Sequence, residues 1–163
     1  MNRFKVFSLC AIWSLILIAP LFAQQAAVPT LGFLSTASPS SRDSDQIIAF
    51  HRGLSEAGYT DGGNLKVEYR WASNDYSKLQ IFADELVRMQ VTVIVAAGGH
   101  VTAMAAHKAT KVLPIVFTTV TDPVKDGLVA SLNKPGGNTT GTAGLTSELD
   151  AKRLELLREL VPG

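Results

Sequence analysis

The stretch VTVIVAAGGHVTAMAAHKATKVLPIVF, residues 91–117, decides the fold class. It opens with a continuous apolar run from Val91 to Ala97, passes two glycines, continues as an alanine-rich segment, and ends in a second apolar run at Pro114–Phe117. Continuous apolar runs are typical of strands that are buried on both faces, and strands that alternate with helices favour a parallel sheet. The stretch therefore predicts a strand, a helix and a second strand within an α/β domain.

The same alternation of strands and helices extends in both directions from this unit. Residues 65–71 alternate apolar and charged side chains, which predicts a half-exposed strand near a sheet edge. The other predicted strands are Leu31–Leu34 and Thr139–Leu145, and the other predicted helices are Asp45–Ala57, a helix that follows Ser73–Asp75, a short one ending near Leu132, and Glu148–Leu160. We therefore predict an open parallel sheet of about five strands flanked by helices, in Rossmann-like order.

The N-terminus has the order of a secretory signal peptide. Arg3 and Lys5 precede an apolar run from Val6 to Phe22, and Ala23 is a small residue at a plausible cleavage point. The alternative is an uncleaved membrane anchor, because the run approaches the length of a membrane span. We expect cleavage, export to the periplasm and no stable membrane insertion afterwards. Cys10 follows Leu9 rather than a small residue, which argues against a lipoprotein.

Removal of residues 1–23 takes Arg3 and Lys5 from the 15 basic side chains and leaves 13 against 14 acidic ones, a formal charge of −1. This balance predicts no nucleic-acid partner, since nucleic-acid binding needs a basic stripe. The one cysteine, Cys10, leaves with the signal, so the mature chain has no thiol nucleophile or thiolate metal ligand. We expect neither a cofactor nor a metal.

The predicted strands end in loops that are rich in serine, threonine and glycine. In open α/β sheets ligands bind beyond the carboxyl ends of the strands, where loops lead into helix N-termini. Hydroxyl groups and helix N-termini together suit a carboxylate or another polar ligand group, although serine and threonine are also common N-caps. The four loops are Ser35–Ser41, Ala97–Thr102, Thr118–Asp122 and Thr146–Glu148, and we expect them to converge on one edge of the sheet. The candidate ligand-binding residues are Ser35, Thr36, Ser38, Gly98, Gly99, His100, Thr118 and Thr119.

The sequence offers no catalytic constellation. A dinucleotide-binding glycine turn, a phosphate loop and the common hydrolase motifs are missing, so a Rossmann-type nucleotide-using enzyme is a remote alternative. His51 and His107 lie beside Arg52 and Lys108 and are interpreted as solvated surface residues. His100 stands at the expected ligand edge, where ligand contact and a plain loop role are both open. Tyr69 and Trp71 are interpreted as packing residues.

Several blocks resemble a large bacterial family of ABC transporter substrate-binding proteins, which includes proteins that bind aromatic amino acids. They are Gln24–Gln25, LGFLS at 31–35, FHRGLSEAGY at 50–59, VEYRWA at 67–72, PIVF at 114–117, TDPV at 121–124, GLVASLN at 127–133, PGGN at 135–138 and KRLELLRELVP at 152–162. The resemblance implies a type I periplasmic binding fold, with two α/β lobes that close on a small ligand and present it to an ABC permease in the inner membrane. It also implies ligand contacts from the strand-end loops already described.

The resemblance further implies a domain organisation. Residues 1–23 are the signal peptide, 24–146 the N-terminal ligand-binding lobe, and 147–163 a crossover helix that leads toward a second lobe beyond this sequence. Leu154, Leu157, Leu160 and Val161 are then expected to be more exposed than Ile47, Phe50 and Leu54 of the first helix, since their partner sheet is missing. A ligand-sensing receptor domain of the same fold is the alternative to transport.

Overall fold

The computed structural model describes residues 28–40, 44–144 and 146–161. The predicted signal peptide, residues 1–23, and Cys10 within it lie outside the described residues. Nine elements follow one another: β1 (Thr30–Ser35), α1 (Asp45–Glu56), β2 (Lys66–Trp71), α2 (Lys78–Arg88), β3 (Val93–Ala97), α3 (His100–Ala109), β4 (Ile115–Thr119), β5 (Thr139–Ala143) and α4 (Thr146–Leu160).

The five strands form a single parallel sheet in the order β2-β1-β3-β4-β5. This confirms the predicted α/β class, and β2 is an edge strand, as its alternating sequence indicates. One row of paired residues crosses the carboxyl edge of the sheet. Ser35 pairs with both Trp71 and Ala97, and Ala97 pairs in turn with Thr118. The carboxyl ends of four strands are therefore neighbours in space.

Alternate residues of β1 enter two different cores, because side chains along a strand point to opposite faces of the sheet. Leu34 belongs to the core under α2 and α3, with Leu86 and Ile94. Leu31 and Phe33 belong to the core under α1, with Ile47. The helices thus cover both faces of the sheet around β1, and α1 and α3 begin at its carboxyl edge.

The coverage of β3 differs from the prediction. Ile94 and Ala96 are fully buried under α2 and α3, whereas Val93, Val95 and Ala97 on the opposite face are only half-buried. The expectation of burial on both faces is therefore correct for one face only. Among the described residues, α1 is the helix packed on that second face, and its core lies mainly over β1 and β2.

The prediction of a short helix that ends near Leu132 is wrong. Residues 120–138 form turns and bends, with positive φ angles at Gly127 and Gly136. Leu128 and Val129 of this segment are buried in the core, and both backbone N–H groups donate to the carbonyl oxygen of Pro123. A left-handed residue at Gly127 ends any helical run, since only glycine adopts that conformation without strain.

The interpretation of His51 and His107 as solvated surface residues is also wrong. Both are half-buried. His51 Nε2 lies 2.6 Å from the hydroxyl oxygen of Tyr69, and His107 Nδ1 lies 3.0 Å from Oγ1 of Thr139. Burial, together with the positive charge of Lys111, lowers the pKa of His107 below its ordinary value of 6.5. The charged residues next to His51 and His107 in the sequence could not predict these partners, because Tyr69 and Thr139 lie in other elements.

The last helix, α4, has an exposed apolar face. Leu154, Leu157 and Leu160 are 67%, 57% and 78% exposed, against 7% for Ile47 in α1. Phe50 and Leu54 of α1 are half-buried, so the expected difference in exposure is confirmed. Among the described residues no helix is both long and apolar enough to cross a membrane.

Candidate functional site

A cleft of about 690 Å³ lies at the carboxyl edge of the sheet. Its lining includes the ends of three strands and the loops that follow them, namely Ser35, Thr36 and Ala37 at the end of β1, Gly98 and Gly99 after β3, and Thr118, Thr119 and Val120 at the end of β4. The predicted convergence of these three loops is therefore confirmed. The fourth predicted loop, Thr146–Glu148, is instead the first turn of α4.

Six of the eight candidate residues line the cleft: Ser35, Thr36, Gly98, Gly99, Thr118 and Thr119. Ser38 and His100 do not line it. The Ser38 hydroxyl forms a short hydrogen bond with the hydroxyl of Ser40 in the same loop. The structure thus gathers most of the predicted set into one wall and leaves two members beside it.

Gly98 brings the loops after β1 and β3 into close approach. A Cβ atom at this position would lie 2.8 Å from Thr36 Oγ1 and 2.9 Å from the Thr36 backbone nitrogen. Its φ of 146° also disfavours any residue with a side chain. The absence of a side chain at Gly98 lets the Thr36 hydroxyl and the start of α3 border the same cleft.

Two helices present their N-termini to this cleft. Gly99 is the N-cap of α3, and Ser44 is the N-cap of α1; in neither helix does an N-cap side chain accept a hydrogen bond from the backbone N–H groups of the first turn. Both residues line the cleft, and so does Gln46 in the first turn of α1. Uncapped helix N-termini carry unpaired N–H groups and the positive end of the helix dipole. This part of the cleft is suited to a carboxylate or another group that accepts hydrogen bonds.

The two threonines at the end of β4 differ in their surroundings. Thr118 is exposed to the cleft side of the sheet, while Thr119 is buried. The hydroxyl of Thr119 accepts a 3.2 Å hydrogen bond from the Thr121 backbone N–H and lies 2.8 Å from the Thr121 hydroxyl. Thr118 is thus the more available of the two hydroxyl groups for a ligand.

Three aromatic side chains also line the cleft, and we define them as the aromatic wall: Phe33, Phe50 and Trp71. The ring centroid of Phe33 lies 5.1 Å from that of Phe50 and 5.6 Å from that of Trp71. The ring of Tyr69 stacks on that of Trp71, with ring centroids 5.5 Å apart and an interplanar angle of 2°. Tyr69 is therefore a packing residue, as the sequence indicated, whereas Trp71 both packs and lines the cleft.

Sequence reasoning missed the aromatic wall, although one signal was available. Trp71 is the last residue of β2, and the last residues of parallel strands lie at the ligand edge of the sheet. Phe33 and Phe50 gave no such signal, because their apolar spacing is also that of ordinary core positions. Each of the lining residues that the structure describes is uncharged.

His100 has a carboxylate partner that sequence proximity did not reveal. Its Nδ1 lies 2.9 Å from Oδ2 of Asp126, which is 26 positions further along the chain. The distance is that of an ion pair, but the angle at Nδ1 is not that of a hydrogen bond. Asp126 Oδ2 also accepts a hydrogen bond from the Thr121 hydroxyl. His100 therefore connects the loop after β3 to the segment after β4.

Comparison with known proteins identifies the family of this chain. The family model described as "ABC transporter substrate binding protein" matches residues 38–163. The chain belongs to this family. Members are substrate-binding proteins of ABC transporters rather than enzymes, and the parallel sheet with its cleft at the carboxyl edge agrees with that assignment.

Individual relatives support the same family. A tyrosine-binding protein of Clostridioides difficile (strain R20291) is 44% identical over 113 residues, which is 69% of this chain and 32% of that protein. A domain from Streptococcus pneumoniae solved in complex with L-Trp is 33% identical, with a TM-score of 0.62 over 71% of this chain and 38% of that one.

Two further solved structures share the fold. A ligand-free, open substrate-binding protein with adhesive properties from Clostridium difficile is 31% identical, with a TM-score of 0.65 over 78% of this chain and 43% of that one. A conserved domain protein from Vibrio cholerae is 30% identical, with a TM-score of 0.69 over 83% of this chain and 45% of that one. The chain spans about a third of the length of the curated relative and less than half of each of these structures.

Proposed function

We propose that this substrate-binding protein binds an amino acid with an aromatic side chain, in the cleft at the carboxyl edge of its sheet. The observation that carries the proposal is the pairing, within one cleft, of the aromatic wall with two uncapped helix N-termini. The wall offers a surface on which a ring can stack, and the helix N-termini offer N–H donors for a carboxylate.

The polar loops complete the proposed site. Ser35, Thr36 and Thr118 would supply hydroxyl groups, and the glycines at 98 and 99 would let the ligand approach the backbone closely. Thr119 is proposed to stabilise the end of β4 through its contacts with Thr121. Ser38 and His100 are proposed to act from outside the lining of the cleft. We propose no cofactor, metal or catalytic residue for this site.

The names of two relatives support the choice of ligand class. One is a tyrosine-binding protein, and another was solved with L-Trp. Both ligands combine an aromatic side chain with an α-carboxylate and an α-amino group. This combination matches a cleft that is lined both by aromatic side chains and by polar loop residues.

For the whole protein we propose a role in import. The chain would be exported by its N-terminal signal, with cleavage near Ala23, and would deliver its ligand to an ABC permease in the inner membrane. Residues 24–146 would form one lobe and residues 147–163 the start of a crossover to a second lobe. The exposed leucines of α4 support this organisation, since large apolar side chains in water forgo about 1.5–3 kcal/mol each.

A ligand panel tests the proposal by thermal unfolding of the full chain. L-Tyrosine and L-tryptophan should raise the melting temperature, because a ligand at a hundred times its Kd stabilises the folded state by about 2.7 kcal/mol. Tryptamine, which lacks the carboxylate, and L-alanine, which lacks the ring, should have much smaller effects. Equal stabilisation by tryptamine would contradict the role of the helix N-termini in binding a carboxylate. If neither aromatic amino acid raised the melting temperature, the proposed ligand class would be refuted.

A further inference from the structure

We propose that His100 and Asp126 form a clasp that positions two cleft-lining loops relative to each other. The first is the glycine loop (residues 98–99), which leads directly into His100. The second is the threonine loop (residues 118–121), which is connected to Asp126 through Thr121. Both clasp residues lie outside the lining of the cleft, so they are positioning residues rather than ligand contacts. The effect of the clasp on ligand affinity rests on the proposed function, whereas the coupling between the loops does not.

A continuous series of contacts carries the proposal. His100 Nδ1 lies 2.9 Å from Asp126 Oδ2, and the same oxygen accepts a hydrogen bond from the Thr121 hydroxyl. The Thr121 hydroxyl oxygen lies 2.8 Å from that of Thr119, which lines the cleft. The path thus leads from Gly99, beside His100, to Thr119 through side chains that are distant in sequence.

The chemistry of the pair decides when the contact is attractive. Because the angle at Nδ1 is not that of a hydrogen bond, the attraction between the two side chains is that of opposite charges. The contact is therefore attractive when the imidazole ring is protonated and the carboxylate is ionised. Both side chains are partly shielded from water, with 39% exposure for His100 and 23% for Asp126. Partial burial lowers the screening that makes fully exposed ion pairs weak.

The backbone around Asp126 explains why its position matters for the threonine loop. The Asp126 N–H donates to the carbonyl oxygen of Asp122, and the side chain of Asp122 accepts from the N–H groups of Val124 and Lys125. The segment from 121 to 126 is therefore a tight turn held by its own hydrogen bonds. A contact that fixes Asp126 also fixes Thr121 and, through it, the end of β4.

Amide hydrogen exchange on the ligand-free full chain tests the coupling directly. In His100→Ala, exchange of the amides in 118–122 should become several-fold faster, although the substitution lies in α3. In Asp126→Ala, the amide of Ala103, which donates to the Gly99 carbonyl oxygen at the start of α3, should show the same change. His100→Lys keeps a positive charge within reach of the carboxylate and should restore slow exchange, which a loss of packing alone would not allow.

Lys125→Gln is the matched control, because it removes a charge from the same turn, where Lys125 Nζ lies 3.4 Å from Asp122 Oδ2. It should leave exchange of the Ala103 amide unchanged. Exchange that changes only around each substituted residue, or equally in the control, would overturn the clasp. Cooperative thermal unfolding of each variant shows that the comparison is made between folded proteins.

Affinity for L-tryptophan provides the second readout. His100→Ala and Asp126→Ala should each raise the Kd about fivefold, and the double variant should be no weaker than either single one, as expected for two members of one contact. Additive effects would contradict a shared clasp. If the unsubstituted chain does not bind L-tryptophan while the exchange coupling is present, the proposed ligand class fails and the clasp stands.

Discussion

Replacing Gly141 by alanine is expected to lower the melting temperature by about 10 °C. Gly141 pairs with Phe117 across the β4–β5 ladder. A Cβ atom at this position would overlap the Phe117 carbonyl oxygen and would lie 2.7 Å from Cγ of its ring and 2.9 Å from its carbonyl carbon. Most of these atoms are backbone, so β5 must move away from β4 to make room. Overpacking of this kind costs about 1–3 kcal/mol, and we expect the upper end.

Gly144→Ala is the matched control for this substitution. Gly144 directly follows β5, and a Cβ atom there would meet nothing within 4 Å. Its backbone N–H, which donates to Thr119 at 2.9 Å, remains in the alanine variant. Thermal unfolding followed by circular dichroism should show a change of at most about 2 °C for the control. Equal melting temperatures for the two variants would mean that β5 can be displaced at no cost.

Replacing Trp71 by leucine is expected to raise the Kd for L-tryptophan about tenfold or more. Leucine keeps much of the apolar volume but removes the flat indole that, with Phe33, borders the cleft. Aromatic pairs contribute about 0.5–1.5 kcal/mol beyond their buried area, and 1.4 kcal/mol corresponds to a factor of ten in affinity. Isothermal titration calorimetry of the full chain measures the change.

Tyr76→Leu controls for a general effect of losing an aromatic side chain. Tyr76 lies five residues after Trp71, is 60% exposed and does not line the cleft. Its substitution should leave the Kd within twofold of the original value. A Trp71→Leu protein that unfolds cooperatively and still binds L-tryptophan with unchanged affinity would show that the aromatic wall does not contact the ligand.

The fold could be predicted from local patterns because each strand and most helices carry their own periodicity. Continuous apolar sequence at residues 93–97 marked a central strand, and alternation at residues 66–71 marked the edge. The segment after β4 misled the prediction, because Leu128 and Val129 have the apolar character of a helix face. They reach the core from a turn at Gly127, which has a positive φ. The spacing of apolar residues cannot predict that turn.

The polar part of the candidate site could be predicted because topology determines it. Parallel strands end at one edge, so Ser35, Gly98 and Thr118 had to be neighbours once the strands were correct. The aromatic wall and the clasp could not be predicted in the same way. Phe50 reaches the cleft from a helix, and His100 meets Asp126 across 26 positions, so both depend on packing between elements.

The histidines illustrate the same limit. Arg52 and Lys108, next to His51 and His107, suggested a solvated face of each helix. Adjacent residues on a helix point in directions about 100° apart, so a charged neighbour does not settle exposure. Tyr69 of β2 and Thr139 of β5 supply the partners of these histidines, and both lie in other elements.

Nuclear magnetic resonance mapping of the binding surface tests the central claim most directly. Titration of the ¹⁵N-labelled full chain with L-tryptophan should shift the amide signals of residues 35–37, 98–99 and 118–120, since these line the cleft and an indole ring shifts nearby resonances. Amides at the opposite edge of the sheet, such as Thr110 and Thr139, should stay unchanged. Shifts confined to that opposite edge, or the absence of any shift at millimolar L-tryptophan, would contradict an aromatic amino-acid site in this cleft.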